Sequence, residues 1–157
     1  MSGLHQQGYS LVLAGKSGWL AQSILDAIDH QPPAVRDCIR VTGYVDEADK
    51  AALLSGATTL TFPSLYEGFG FPVLEAQACG TAVICANTSS LPEVAGEGAL
   101  LVDPLDTTAL AEAMQRVASD ANLRQNLVAA GYANLNRFSW PDAAVRVLDV
   151  LEAAAAP

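Results

Sequence analysis

The sequence is short of charge, and of positive charge above all. Only eight of its 157 residues are Lys or Arg, against 17 Asp or Glu, and the formal net charge is −9. Nucleic acid and anionic membrane surfaces both demand clustered Lys and Arg, so neither is expected as a general partner. A small anionic ligand is not excluded, because one backbone nest or helix N-terminus can hold a phosphate locally. Cysteine is also scarce. Cys38, Cys79 and Cys85 form no C-x-x-C and no ligand-like set with His5 and His30, which argues against a zinc site. They read instead as small apolar residues in a reducing compartment. No apolar run approaches the ~18 residues of a membrane span. Met1 to Tyr9 is polar and short, unlike a signal peptide. A cytoplasmic location is the expectation. There is no internal repeat and no low-complexity linker.

Apolar residues are what the chain does have. They make up 51 % of it, which argues against disorder, and residues 1–157 suffice for one domain with a sizeable core. Charged residues at 16 % fall below the usual quarter, so part of the surface is expected to be covered by a partner or by a second copy.

Five short apolar runs recur between helix-like segments and predict strands: Ser10–Ala14, Cys38–Gly43, Ala57–Phe62, Thr81–Cys85 and Gly98–Val102. Most are nearly continuous in apolar residues, as in strands buried on both faces of a parallel sheet. Helices are predicted between them. Leu20, Ile24, Leu25 and Ile28 form one stripe, and Asp46–Ser55 forms a second helix. Pro72 suits the first turn of a third, with Gly80 just past its end. Asp106 and Asp120 can cap the fourth and fifth, and Leu110, Ala113, Met114 and Val117 face inward on the fourth. Ser139 and Asp142 resemble a capping box for the last, which carries Ala144, Val145, Leu148 and Leu151; Ala153 to Pro157 is expected to fray. Alternating strands and helices mean an α/β fold, Rossmann-like and three-layered, with about five parallel strands in the order 2-1-3-4-5 and helices on both faces. Ligands in such sheets bind beyond the carboxyl ends of the strands, so the loops after each strand are the places to look.

One of those loops carries Y-E-G-F-G-F-P-V-L-E, Tyr66 to Glu75. Gly68 and Gly70 let a ligand approach the backbone. The N–H groups of Gly70, Phe71 and Val73 would lie at the positive end of the helix that Pro72 starts, a natural seat for phosphate or pyrophosphate. Glu67 stands before that seat and Glu75 about one turn behind it. A carboxylate accepts two hydroxyl hydrogen bonds at once, which suits a ribose diol or sugar hydroxyls. A carboxylate on each side of a phosphate seat fits a sugar–pyrophosphate–nucleoside. The plainer alternative stays open: Glu67 solvated on a loop, Glu75 complementing the helix dipole, and glycines that only make a turn.

The run F-P-S-L-Y-E-G-F-G-F-P-V-L-E-A-Q-A-C-G-T-A-V-I-C-A, Phe62 to Ala86, resembles the signature of glycosyltransferase family 4, whose members are retaining, sugar-nucleotide-dependent enzymes of the GT-B fold. The likeness continues through Ser89–Val94, Gly98–Pro104 and Arg137–Trp140, and upstream through Leu11–Lys16 and Val41–Val45. It spans roughly Ser10 to Leu151. The resemblance implies that Glu67 contacts the donor sugar near the reacting centre and that Glu75 holds the ribose. It places the backbone of Gly70, Phe71 and Val73 on the diphosphate, with Tyr44 and Val45 framing the base. Lys16 stands where a basic residue could approach the phosphates, or is a solvated loop lysine. Ser89, Ser90 and Glu93 are expected to be mainly structural. The implied chemistry is glycosyl transfer with retained configuration, without an obligatory metal or other cofactor, the leaving diphosphate being stabilised by helix N–H groups and basic side chains.

Such enzymes have two Rossmann-like domains. The acceptor-binding domain and the first strand of the donor domain are absent from these 157 residues. The expectation is therefore a donor-binding domain that binds a nucleotide sugar and is inactive alone, with an acceptor-domain protein or self-association as partner. A partner chain could also supply a strand or cover a sheet edge. The alternative is a noncatalytic interaction or assembly protein on a decayed glycosyltransferase fold. A flavodoxin-like binder rests only on the strand order.

Overall fold

The structure is a computed structural model that describes residues 3–16, 18 and 21–155. Its strands are β1 (Leu11–Ala14), β2 (Ile39–Gly43), β3 (Thr59–Phe62), β4 (Ala82–Ala86) and β5 (Ala99–Val102). Its α-helices are α1 (Ala21–Asp29), α2 (Pro33–Arg36), α3 (Glu47–Ser55), α4 (Phe71–Ala78), α5 (Leu91–Ala95), α6 (Thr107–Ser119), α7 (Ala121–Leu135) and α8 (Trp140–Ala155). All five predicted strands form. The α1 stripe forms with Ile24, Leu25 and Ile28, while Leu20 lies outside the described residues. The four-residue α2 was not predicted; it opens on Pro33, whose fixed φ suits a first helical position.

The predicted caps on α6 and α7 are made. Asp106 accepts from the N–H groups of Thr108 and Ala109, and Asp120 from that of Leu123. Ser139 Oγ accepts from the Asp142 N–H at 3.3 Å. Asp46 occupies the N-cap of α3 without a side-chain capping bond. Instead of fraying from Ala153, α8 stays helical through Ala155, as the best intrinsic helix former would; residues 156 and 157 lie outside the described set.

Every strand pair is parallel. β1 pairs with β2, β3 with β4, and β4 with β5. Neighbours along the expected order 2-1-3-4-5 are all found except one. No ladder joins β1 to β3, so the strands make two sheets, β2-β1 and β3-β4-β5, where one continuous sheet was expected. β1 and β3 instead both line one cavity, described below.

The β3-β4-β5 sheet carries the core. β4 is buried along its whole length. Val83 and Cys85 pack with Val73 and Ala76 of α4 and with Leu91 and Ala95 of α5. Ala82 and Ile84 pack with Ala113 and Val117 of α6 and Leu127 of α7. Helices therefore cover both faces, the three-layer arrangement that buries an apolar parallel sheet. The β1-β2 pair differs: none of its residues is fully buried.

A polar joint links α4, α5 and α7. Buried Gln77 donates to the Ala95 carbonyl at 2.9 Å. Asn134 donates to Gln77 Oε1 at 2.9 Å and to the Val94 carbonyl at 2.8 Å. Arg137 then donates to Asn134 Oδ1 at 2.8 Å and to the Glu93 carbonyl at 3.1 Å. Close approach here depends on glycine: a Cβ on Gly98 would lie 2.6 Å from the Gly131 Cα.

Candidate donor-binding site

The loops after β1 and β2 converge, with β3 and the helices α3 and α4, on one cavity of about 810 Å³. β1 ends at Gly15, whose φ of 140° turns the chain, and its N–H donates to the Gly43 carbonyl at the end of β2 at 2.8 Å. That bond holds Lys16 beside Tyr44, the ammonium 4.9 Å from the ring centroid, a cation–π distance. Lys16, Tyr44 and Val45 line the cavity, as do Pro72 and Glu75 of α4 and Glu47 and Lys50 of α3.

Glu75 has a partner that sequence reasoning missed. Lys50 Nζ donates to Glu75 Oε1 at 3.1 Å and pairs with Glu47 Oε1 at 2.9 Å. The Glu47 hydrogen bond, then the Glu75 one, raises the Lys50 pKa. The local signal was the Glu47-Lys50 spacing on one helix face; the Glu75 contact spans 25 positions and needed the tertiary structure.

Gly70 begins α4 with φ 106°, and a Cβ there would stand 2.7 Å from Cδ2 of the fully buried Leu91. Glycine is required twice over, by conformation and by space. Val73 is wholly buried and its N–H donates to the Gly70 carbonyl at 3.0 Å. The N–H groups of Gly70 and Phe71 stand at the start of α4, where a helix leaves its first amides without intrahelical partners.

Glu67 does not line this cavity; nor do Gly70, Phe71 or Val73. Its position is fixed by hydroxyls. Ser64 Oγ donates to Glu67 Oε1 at 3.0 Å, and the Glu67 N–H donates to Ser89 Oγ at 3.1 Å. Ser90 Oγ donates to the carbonyls of Glu67 and Phe69 at 2.9 and 2.8 Å. Ser89 holds φ 51°, the one positive φ among described non-glycine residues. Through their Oγ atoms, Ser89 and Ser90 thus pin the glutamate loop, and the Gln77–Asn134–Arg137 joint pins the helix that follows them.

Cys85 lies in the core behind the site, and burial pushes its thiol up to about 11. Among the described residues no group of three or more His, Cys, Asp and Glu is placed to hold a metal ion, and no helix is long and apolar enough to cross a membrane.

The chain is similar to known proteins in sequence and in fold. The chain is 36 % identical over 142 residues to the O-antigen chain mannosyltransferase B of Escherichia coli, covering 90 % of this chain and 36 % of that protein. It is 36 % identical over 143 residues to a D-inositol 3-phosphate glycosyltransferase of Xylanimonas cellulosilytica, covering 89 % and 34 %. The chain thus spans about a third of the length of these relatives. Among solved structures, the sucrose-phosphate synthase of Thermosynechococcus elongatus superposes with a TM-score of 0.80 at 28 % identity, over 92 % of this chain and 38 % of that one. The Anabaena HepE structure in complex with UDP-glucose superposes with a TM-score of 0.80 at 19 % identity, over 96 % and 43 %; at that identity the likeness speaks for the fold alone. The family model described as glycosyl transferases group 1 matches residues 2–134. The chain belongs to that family, and its fold is the Rossmann-like α/β unit found in GT-B glycosyltransferases.

Proposed function

We propose that these residues form the donor-binding part of a retaining hexosyltransferase that takes a nucleotide-diphosphate sugar. The observation that carries the reading is the convergence of Lys16, Tyr44, Val45, Lys50 and Glu75 on one cavity at the carboxyl ends of the strands. The base lies against the Tyr44–Val45 turn. Glu75 accepts from the ribose diol, and Lys50 holds that carboxylate in place. The diphosphate sits over the N–H groups of Gly70 and Phe71, with Lys16 swinging from Tyr44 to meet it. Glu67, fixed by Ser64 and Ser89, faces the sugar end.

The catalytic contribution of this half is electrostatic. As the bond from the anomeric carbon to the diphosphate breaks, negative charge grows on the leaving phosphate. Helix N–H dipoles and Lys16 stabilise that charge more than they stabilise the bound donor, which lowers the barrier. A metal has no part in this scheme. Transfer further requires an acceptor-binding part supplied from outside these residues, so the isolated chain binds donor without transferring it. The similarity to a mannosyltransferase supports a hexose donor.

Calorimetry of the isolated chain with uridine, guanosine and adenosine diphosphates and their hexose conjugates tests the reading. One nucleotide should bind specifically and lose at least about tenfold in affinity, ~1.4 kcal/mol, in Glu75→Ala. Equal binding by wild type and Glu75→Ala would sink it. A folded chain that binds none of these ligands would favour a noncatalytic assembly role.

A further inference from the structure

A row of aromatic rings joins the glutamate loop to the last helix. Phe69 and Phe71 flank Gly70, and their ring centroids lie 4.7 Å apart. Phe138, between α7 and α8, meets Phe69 edge-on at 5.9 Å and 86°. Trp140, the first residue of α8, stacks on Phe71 at 6.5 Å with 22° between the planes. All three separations fall in the range of favourable ring pairs. One end of the row is tied to the core. Arg137, held by Asn134 and the Glu93 carbonyl, places its guanidinium 5.4 Å from the Phe138 centroid. The other end meets a backbone that needs support. Gly70 is left-handed, and Phe71 is the first helical residue directly before Pro72, where a following proline disfavours the helical region. Phe71 is 50 % exposed, and its recorded ring partners are Phe69 and Trp140.

We infer that Trp140 is a positioning residue for donor binding: by stacking on Phe71 it fixes the direction of the Gly70 and Phe71 amides at the start of α4. The inference rests on the reading of those amides as the diphosphate seat. Backbone N–H groups hold an anion well when they are already aimed at it, because ordering them on binding would cost affinity. Gly70 has no side chain to restrain its own peptide, so the rings on either side supply the restraint. Trp140 acts through Phe71 and touches no donor atom in this scheme. It is 77 % exposed and α8 contains no buried residue, which argues against a role in holding the core. The same stack links the direction of the last helix to the geometry of the seat.

The test compares Trp140→Ala, Trp140→Phe and a control on the exposed face of α8, Val147→Ala. In the free chain, backbone amide relaxation by NMR reads the Gly70 and Phe71 N–H groups. Trp140→Ala should lower their order parameters from about 0.85 towards about 0.6, while Trp140→Phe, which keeps a ring, and Val147→Ala leave them unchanged. The second readout is affinity, by ligand-observed NMR, for uridine, guanosine and adenosine and for their diphosphates. Trp140→Ala should weaken the diphosphate that binds by roughly three- to tenfold, the worth of one aromatic pair. The matching nucleoside should bind as before, because it does not reach the seat, and Trp140→Phe should restore the diphosphate affinity. Unchanged order parameters, undiminished diphosphate affinity, or equal loss for nucleoside and diphosphate would each overturn the inference. If the wild-type chain binds no nucleotide, the donor-site reading fails on its own, and the order parameters still decide whether Trp140 holds the loop.

Discussion

Replacing Asn134 with alanine removes the joint at which α4, α5 and α7 meet. Asn134 is 6 % exposed. Its loss takes the donor from Gln77 Oε1 and from the Val94 carbonyl, and the acceptor from Arg137. Stranding a buried acceptor costs about 1–3 kcal/mol, and two are stranded. Arg137 can turn to water and adds little. The expected destabilisation is about 3–4 kcal/mol, a large part of the ~5–15 kcal/mol that holds a typical domain together. For a chain of this length that lowers the melting temperature by roughly 6–16 °C. Urea unfolding followed by circular dichroism gives the free energy, and an unchanged m-value would show that the denatured state is unaffected. Arg137→Ala should cost only about 1 kcal/mol, because its bonds are partly solvated. A second readout reaches the site. α5 follows directly on Ser89 and Ser90, so the Glu67 amide, which donates to Ser89, should exchange faster in Asn134→Ala than in Arg137→Ala. A melting shift under about 2 °C in Asn134→Ala would refute the reasoning, since a satisfied buried network cannot lose its central member at that cost.

Gly70→Ala must hold alanine at φ 106° against Leu91, and should cost about 2–3 kcal/mol and remove nucleotide affinity; a variant as stable as wild type by urea unfolding would contradict the geometry. Lys50 should titrate above the ordinary 10.5 of a lysine in a side-chain NMR titration, with Glu75→Gln moving it back down. Because its folded pKa is raised, the contribution of these pairs is intact below the ordinary value and is lost as pH climbs through the folded one. A midpoint at or below the ordinary value would contradict the pairing. A thiol reagent at pH 8 should modify partly exposed Cys38 and Cys79 well before Cys85, which is buried and has its thiol held near 11; equal rates at all three would contradict that core placement.

Local chemistry made much of the fold legible. Val83-Ile84-Cys85 reads as a doubly buried strand because each neighbour in sequence is apolar, and β4 is fully buried. Asp106 and Asp120 reveal themselves as caps because an N-cap bond closes within three residues. Gly80 at φ 70° ends α4 where it was expected, and there a Cβ would meet the Tyr132 hydroxyl at 2.5 Å. The helix start at Gly70–Pro72 was readable for the same reason. What escaped was non-local. Gln77 and Asn134 stand 57 positions apart, and each looks like a surface amide on its own helix. The Lys50–Glu75 pair joins two helices whose relative placement no window of sequence contains. The apolar face of α8 was identified, yet Val145, Leu148 and Leu151 remain exposed, because periodicity marks a face without naming what covers it.

The sequence by itself determined the order of the strands and of the longer helices, the parallel α/β class, the caps of α6 and α7, and the glycine–proline loop between Glu67 and Glu75. All of these are written in contacts a few residues long. Tertiary structure alone decided that Glu75 is held by Lys50, that hydroxyls from the loop after β4 fix Glu67, and that no ladder joins β1 to β3. Strand pairing and ion pairing depend on which distant edges and charges the packed core brings within hydrogen-bond reach, and that distance is set by the whole arrangement of helices and sheets.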